Sequence, residues 1–163
     1  MKIVLLVLFI LISATLFYSC RNKQEVYHQK EKVQIRIAKT VPPNFVSAED
    51  IHLEKHQDTV YYKSSFFTGF IYKLYSNADT AYLQSYFNGV EEGVQKKWYP
   101  NKQLEEERFY INGKKEGVHQ GWWPNGIHKY YFTAQNDEYS NEFKEWLSNG
   151  LLIKFFHYKS AGE

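Results

Sequence analysis

Cysteine occurs once in this 163-residue chain, at Cys20, so no internal disulfide can hold the fold even in an oxidising compartment. No segment spaces its apolar residues at i, i+3, i+4 and i+7, which excludes amphipathic helices as the main building block. No glycine-rich phosphate loop leads into a helix, and no G-x-S-x-G elbow presents a serine nucleophile. An excess of one charge is missing too. Twenty Lys and Arg stand against 18 Asp and Glu, a formal charge of +2 that implies neither nucleic acid nor an acidic substrate. Together these absences predict a chain that is not an enzyme, carries no cofactor and binds no nucleic acid.

What is present is a repeat. Asn77, Asn101, Asn125 and Asn149 stand 24 residues apart, and Trp98, Trp122 and Trp146 keep the same step with Leu74 in the first slot. Gly69, Gly93 and Gly117 share it, as do Gly89 with Gly113, and Tyr62 with Tyr86 and Tyr110. A fixed period of this length marks stacked supersecondary units.

Two turn signals divide each unit. The first is Pro100-Asn101-Lys102, echoed by Ser76-Asn77-Ala78, Pro124-Asn125-Gly126 and Ser148-Asn149-Gly150; asparagine suits it because it tolerates a left-handed backbone and can bond its own main chain. The second is Asn112-Gly113, echoed by Asn88-Gly89, a strong hairpin signal. In the fourth unit Asp137 and Asn141 replace the expected glycines, and both can take over a positive φ. Between turns the segments are rich in Tyr, Phe, Trp, Val and Ile and read as strands. The expected fold is all-β, a single-layer antiparallel meander of repeated hairpins. It should have about eight strands from residue 69 onward, near the size at which open sheets begin to curl. Two more strands are expected between Ile51 and Tyr62, turning at His56-Gln57-Asp58, as a first hairpin that could cap one end of the sheet. Because 24 is even, the tryptophans should form a ladder on one face. The aromatic share of 18% makes such ring contacts the natural source of stability in one layer.

At the N-terminus, Lys2 precedes an apolar run from Ile3 to Phe17, then Tyr18-Ser19-Cys20. A positive start, an apolar stretch and a small residue before the cut describe an export signal. Ser19-Cys20 resembles a bacterial lipobox, whose cysteine is acylated and becomes the first mature residue; Phe17 and Tyr18 in place of Leu and a small residue are similar to the looser boxes of Bacteroidetes lipoproteins. The alternatives are an uncleaved anchor, since about 17 apolar residues lie at the low end of what spans a bilayer, and a buried helix. The expected division is a signal peptide over 1–19, lipidated Cys20 and a tether over 20–50, and the repeat domain over 51–163. Removal of 1–19 takes away one lysine and lowers the formal charge from +2 to +1. Within the tether, Val33, Ile35 and Ile37 alternate as a short strand would, ending at Pro42-Pro43.

Chemistry-bearing clusters are few. His52, Glu54 and His56 would share one face of a strand, but the order fits neither zincin motif and no further histidine or cysteine is near, so an exposed strand end is expected and no metal site. Glu105 to Glu107 and Glu91-Glu92 are expected on solvated, charged strands that discourage stray pairing.

Trp98-Tyr99-Pro100-Asn101, Tyr110-Ile111-Asn112-Gly113-Lys114 with Gly117, and Trp122-Trp123-Pro124-Asn125-Gly126 resemble the MORN-repeat variant of bacterial YwqK-like proteins. So does the stretch from Tyr61-Tyr62-Lys63 to Phe67-Thr68-Gly69. The resemblance covers about residues 51 to 160 and departs from the pattern at Ala78, Lys102, Asp137 and Asn141. It implies repeated β-hairpins. That family is often labelled the antitoxin half of a toxin–antitoxin pair, which on an exported lipoprotein corresponds to an immunity factor. The expected role is a lipid-anchored envelope protein, in the outer membrane facing the periplasm, whose sheet binds an unidentified envelope protein. The alternatives are a module that binds envelope glycan or lipid headgroups through the aromatic ladder, and the immunity factor. Candidate contact residues are Tyr99, Trp123, Ile153 and Phe155, the last two on a nearly continuous apolar segment, Leu151 to Tyr158, expected at the sheet edge.

Overall fold

A computed structural model describes residues 36–158, and the fourteen strands found there lie in a compact unit that begins at Ile37. The signal peptide, Cys20, and Val33 and Ile35 lie outside the described residues. The strands are β1 (Phe45–Ser47), β2 (Leu53–His56), β3 (Thr59–Tyr62), β4 (Ser65–Phe66), β5 (Gly69–Leu74), β6 (Thr80–Phe87) and β7 (Val90–Glu91). They continue as β8 (Gly93–Trp98), β9 (Leu104–Ile111), β10 (Lys114–Lys115), β11 (Gly117–Trp122), β12 (His128–Gln135), β13 (Glu138–Trp146) and β14 (Leu152–Tyr158).

The protein is all-β, and its main sheet runs β1-β5-β6-β8-β9-β11-β12-β13-β14, with β7 against β6 and β10 against β9. From β5 onward the pairing is an antiparallel meander. Two expectations need correction. Ile37 belongs to no strand and is exposed; the strand of this region is β1, after the prolines, and it pairs with β5 in parallel. The hairpin of β2 and β3 does not extend the meander but forms a separate three-stranded sheet with β4. Its Val60, with Phe67 beyond β4, packs against Ile71 and Tyr86 of the main sheet, which gives the start of the meander a second layer.

Four identical turns follow the 24-residue step. Asn77, Asn101, Asn125 and Asn149 each accept, through Oδ1, the N–H two residues on, at 3.2, 3.1, 3.2 and 3.0 Å. The left-handed residue is the next one, Ala78, Lys102, Gly126 or Gly150, with φ of 64°, 67°, 84° and 87°. Asparagine therefore recurs for its side-chain acceptor. The second turn type carries two left-handed residues in succession: Asn88-Gly89, Asn112-Gly113 and Asn136-Asp137. Asp137 (φ 73°) and Asn141 (φ 56°) adopt the backbone expected of glycine, so the geometry survives the change of residue.

Units are tied by bonds that repeat with them. The N–H groups of Gly89, Gly113 and Asp137 donate to the carbonyls of Phe67, Glu91 and Lys115 at 2.7, 2.8 and 3.1 Å. Beside these, the N–H groups of Asn88, Asn112 and Asn136 donate to Thr68 Oγ1, Glu92 Oε2 and Glu116 Oε2 at 2.9, 2.8 and 3.1 Å. At the opposite turns, Tyr75 and Tyr99 hydroxyls donate to the carbonyls of Trp98 and Trp122 (2.6 and 3.0 Å), and Trp123 Nε1–H to that of Trp146 (3.0 Å). Each link satisfies a group that a turn leaves without a strand partner.

Candidate functional site

The meander has two unlike ends. At the first, β1 is three residues long and a Cβ on Gly89 would come within 2.8 Å of the Val60 carbonyl, so the small sheet sits directly on the main one. At the other, β14 pairs with β13 and with no other strand among those described. Its seven residues run Leu-Ile-Lys-Phe-Phe-His-Tyr; Phe155 and His157 lie on one face and Lys154, Phe156 and Tyr158 on the other, and a bulge at Ile153 returns Leu152, opposite Trp146, to the Phe155 face. Ile153, Phe155 and Phe156 are 48%, 52% and 49% exposed. Leu147, Leu151 and Leu152 beside them are exposed as well. The terminal position expected of this segment is thus the observed one.

A row of rings leads from the interior to that edge. The edge of Tyr110 meets His119 (centroids 5.7 Å apart), and His119 stacks on Phe132 at 4.8 Å with planes 5° apart. Phe132 contacts Phe143 at 6.2 Å, and Phe143 contacts Phe156 at 6.0 Å. Tyr139 stacks on Tyr158 at 5.5 Å. Cover declines along the row, from a fully buried His119 to a half-exposed Phe156.

The tryptophans occupy an intermediate level. Trp98, Trp122 and Trp146 are half-buried, and their partners in register within each hairpin are Leu104, His128 and Leu152, as Thr80 is for Leu74. His128 lies between two of them, 5.4 Å from Trp122 and 5.6 Å from Trp146. Tyr99 and Trp123 spend their polar atoms on the links between units, and Lys129 Nζ stands 4.7 Å from the Trp123 ring centre. The structure brings together Ile153 and Phe155 at the edge and places Tyr99 and Trp123 at the turns, away from it.

The acidic residues are not on solvated edges. β9 is interior, between β8 and β11, and its Glu105 and Glu107 pair with Lys97 (3.3 Å) and Lys96 (3.0 Å). Glu106 accepts from Arg108 Nη2 at 2.5 Å and from the Tyr130 hydroxyl. Glu92 is wholly buried; its Oε1 accepts the Lys39 N–H (2.8 Å) while its Oε2 takes Asn112, which fastens the segment before β1 to a hairpin turn. A carboxylate can be interior here because main-chain donors and lysines neutralise it. His52 falls in the turn before β2 and bonds Asp50 (3.1 Å), while His56 bonds Glu54 (3.2 Å). Among the described residues no three His, Cys, Asp or Glu are grouped to hold a metal.

His119 is a residue that sequence reasoning missed. Neither ring nitrogen has a hydrogen-bond partner among the described residues. Burial first, then the Arg108 and Lys115 cations, press its pKa down to about 4; the Glu116 main chain lies near enough to oppose the shift without forming a bond of normal geometry. The period held the signal: Gln95, His119 and Phe143 occupy one slot, 24 residues apart. In the first of these units Gln95 bonds both main-chain groups of Ser85, at 3.0 and 2.8 Å. In the second, Phe109 stands where Ser85 was, and the imidazole packs as a flat ring.

These features define a β-repeat protein with one covered and one open end. No family model, no curated protein and no solved structure matches this chain.

Proposed function

We propose that this chain is a non-catalytic, lipid-anchored protein of the bacterial cell envelope, a MORN-like repeat whose sheet is a protein-interaction surface that docks an extended segment of another envelope protein along β14. The observation that carries this reading is the contrast in cover. One end of the sheet is a strand of only three residues, β1, beside the face that the small sheet covers, whereas β14 offers a seven-residue edge with half-exposed Ile153, Phe155 and Phe156. Unpaired main-chain groups at such an edge accept an added strand, and alternate side chains supply the anchoring contacts. A non-catalytic role is supported by the use made of the interior carboxylates, since Glu92 and Glu106 are each engaged by structural donors. The anchor rests on Cys20 closing the one long apolar run.

A photoreactive residue placed at 153 or 155 of the full chain in cells tests the edge directly. Both positions should give an adduct of one discrete mass, absent when the probe replaces Val94, which is equally exposed but lies mid-sheet. Equal labelling from all three positions would contradict the reading. For the anchor, Cys20→Ser should abolish incorporation of a fatty-acid probe, and unchanged labelling with membrane retention would count against it.

A further inference from the structure

The repeat supplies its own controls, and one junction between units departs from the others. The strand after the first turn begins with Thr80, Leu104 and His128 in successive units, and two of these residues are seen beside the next unit's tryptophan: Thr80 by Trp98 and His128 by Trp146. The His128 ring reaches Trp146 at 5.6 Å. Thr80 is too short to cover an indole, and a cavity of about 260 Å³ is lined there by Asp79, Thr80, Trp98 and Lys102.

The rim departs in the same place. Gln103 and Ile127 occupy the slot of Asp79 and face turn glycines: a Cβ on Gly126 would lie 3.3 Å from Gln103 Oε1, and one on Gly150 4.0 Å from Ile127 Cγ2. At the first junction the glycine is replaced by Lys102, whose Nζ stands 2.9 Å from Asp79 Oδ1 across the opening. Asn77 Nδ2 donates to Asp79 Oδ2 at 2.8 Å and holds the carboxylate in position. A ring-sized gap, an indole wall and a charged donor–acceptor pair therefore coincide at one junction of three.

We propose that this cavity is a binding site for a single pyranose ring, such as the terminal residue of a glycan. The apolar C–H face of a sugar suits an indole wall, and its hydroxyls both donate and accept, which matches a rim made of Asp79, Lys102 and the Thr80 hydroxyl. A phosphate would meet the Asp79 carboxylate, an apolar side chain would strip water from the charged Asp79–Lys102 rim without replacing its hydrogen bonds, and a divalent cation would find a single carboxylate. The volume is below the range of drug-sized pockets and fits one ring. This site is separate from the β14 edge and stands or falls independently of it.

The test is titration of the full-length chain in detergent with the methyl glycosides of glucose, galactose and N-acetylglucosamine, followed by the indole N–H resonances. At least one sugar should move the Trp98 signal saturably while Trp122 and Trp146 stay in place. Thr80→His, which installs the residue that the third junction uses, should abolish the response with the remaining spectrum intact. Asp79→Asn should weaken binding about tenfold, the effect of losing one charge-assisted hydrogen bond. No saturable Trp98 response to any of the three sugars would overturn the proposal, as would equal shifts at all three tryptophans or a response that survives Thr80→His in a folded chain.

Discussion

The first and last hairpins of the meander share a backbone plan and differ in what lies over them. Around β5 and β6, Ile71 and Tyr86 are 4% and 3% exposed beneath Val60 and Phe67; around β13 and β14, Phe155 and Phe156 stand half in water. Stability in a stacked repeat is approximately a sum of unit and junction terms, so an end unit without cover contributes less to the fold and is free to serve another purpose. In this protein covered rings hold the sheet, and uncovered rings of the same kind remain available for contact.

Deletion of one covered and one uncovered ring breaks that comparison most strongly. Phe67→Ala should cost about 3 to 5 kcal/mol, as deletion of a fully buried ring does, whereas Phe156→Ala should cost about 1 kcal/mol. Chemical denaturation of both variants measures the gap, and equal losses would show that the open end is as structural as the closed one. Between these extremes, Trp122→Ala should cost about 2 kcal/mol because the ring is half-buried with His128 on one side, and Trp146→Ala should cost less, since its hairpin partner is the exposed Leu152.

His119 sharpens the comparison at mid-sheet. Its folded pKa of about 4 lies below the ordinary histidine value, so the unfolded chain binds the extra proton first as the medium acidifies. The stability associated with a neutral imidazole is full above about pH 6.5 and is lost as pH falls toward 4, by about 3 kcal/mol in total. His119→Phe puts in the residue that the next unit carries in this slot, Phe143, and removes two buried nitrogens without partners. The variant should melt higher than the parent at pH 5, with the difference shrinking at pH 7.5. A small effect of the opposite sign belongs to Ala78→Gly. Ala78 holds a φ of 64° where two other units have glycine, so the change should stabilise by about 1 kcal/mol, read as a small upward shift in melting temperature.

Much of this architecture was legible in the residues, because a side chain that recurs every 24 positions does so for a mechanical reason. The Asn-Gly hairpins and the substitution of Asp137 and Asn141 for glycine were readable as backbone requirements, and the turn asparagines as acceptors for their own main chain, although the left-handed residue is the one that follows each of them. So was the edge position of the Leu151 to Tyr158 segment, since no further unit follows it among the described strands. Features outside the period were not. β1 pairs in parallel through three residues of unremarkable sequence, and the small sheet gains its place by long-range packing of Val60 and Phe67, which local pattern cannot encode. The interior acids were misplaced for a related reason. Alternation says which face Glu106 points to, but not that Arg108 and Tyr130 meet it there.

The central claim is that β14 is an interface and not a support. The double substitution Ile153→Lys and Phe155→Lys, with the photoreactive residue placed at the exposed His157 in both parent and variant, tests it when thermal melting and partner crosslinking are followed in the same full-length preparation. The account predicts that β-type circular dichroism is retained, that the melting temperature is within a few degrees of the parent, and that the discrete β14 adduct disappears. Loss of the cooperative fold, or an undiminished adduct from a folded variant, would contradict it.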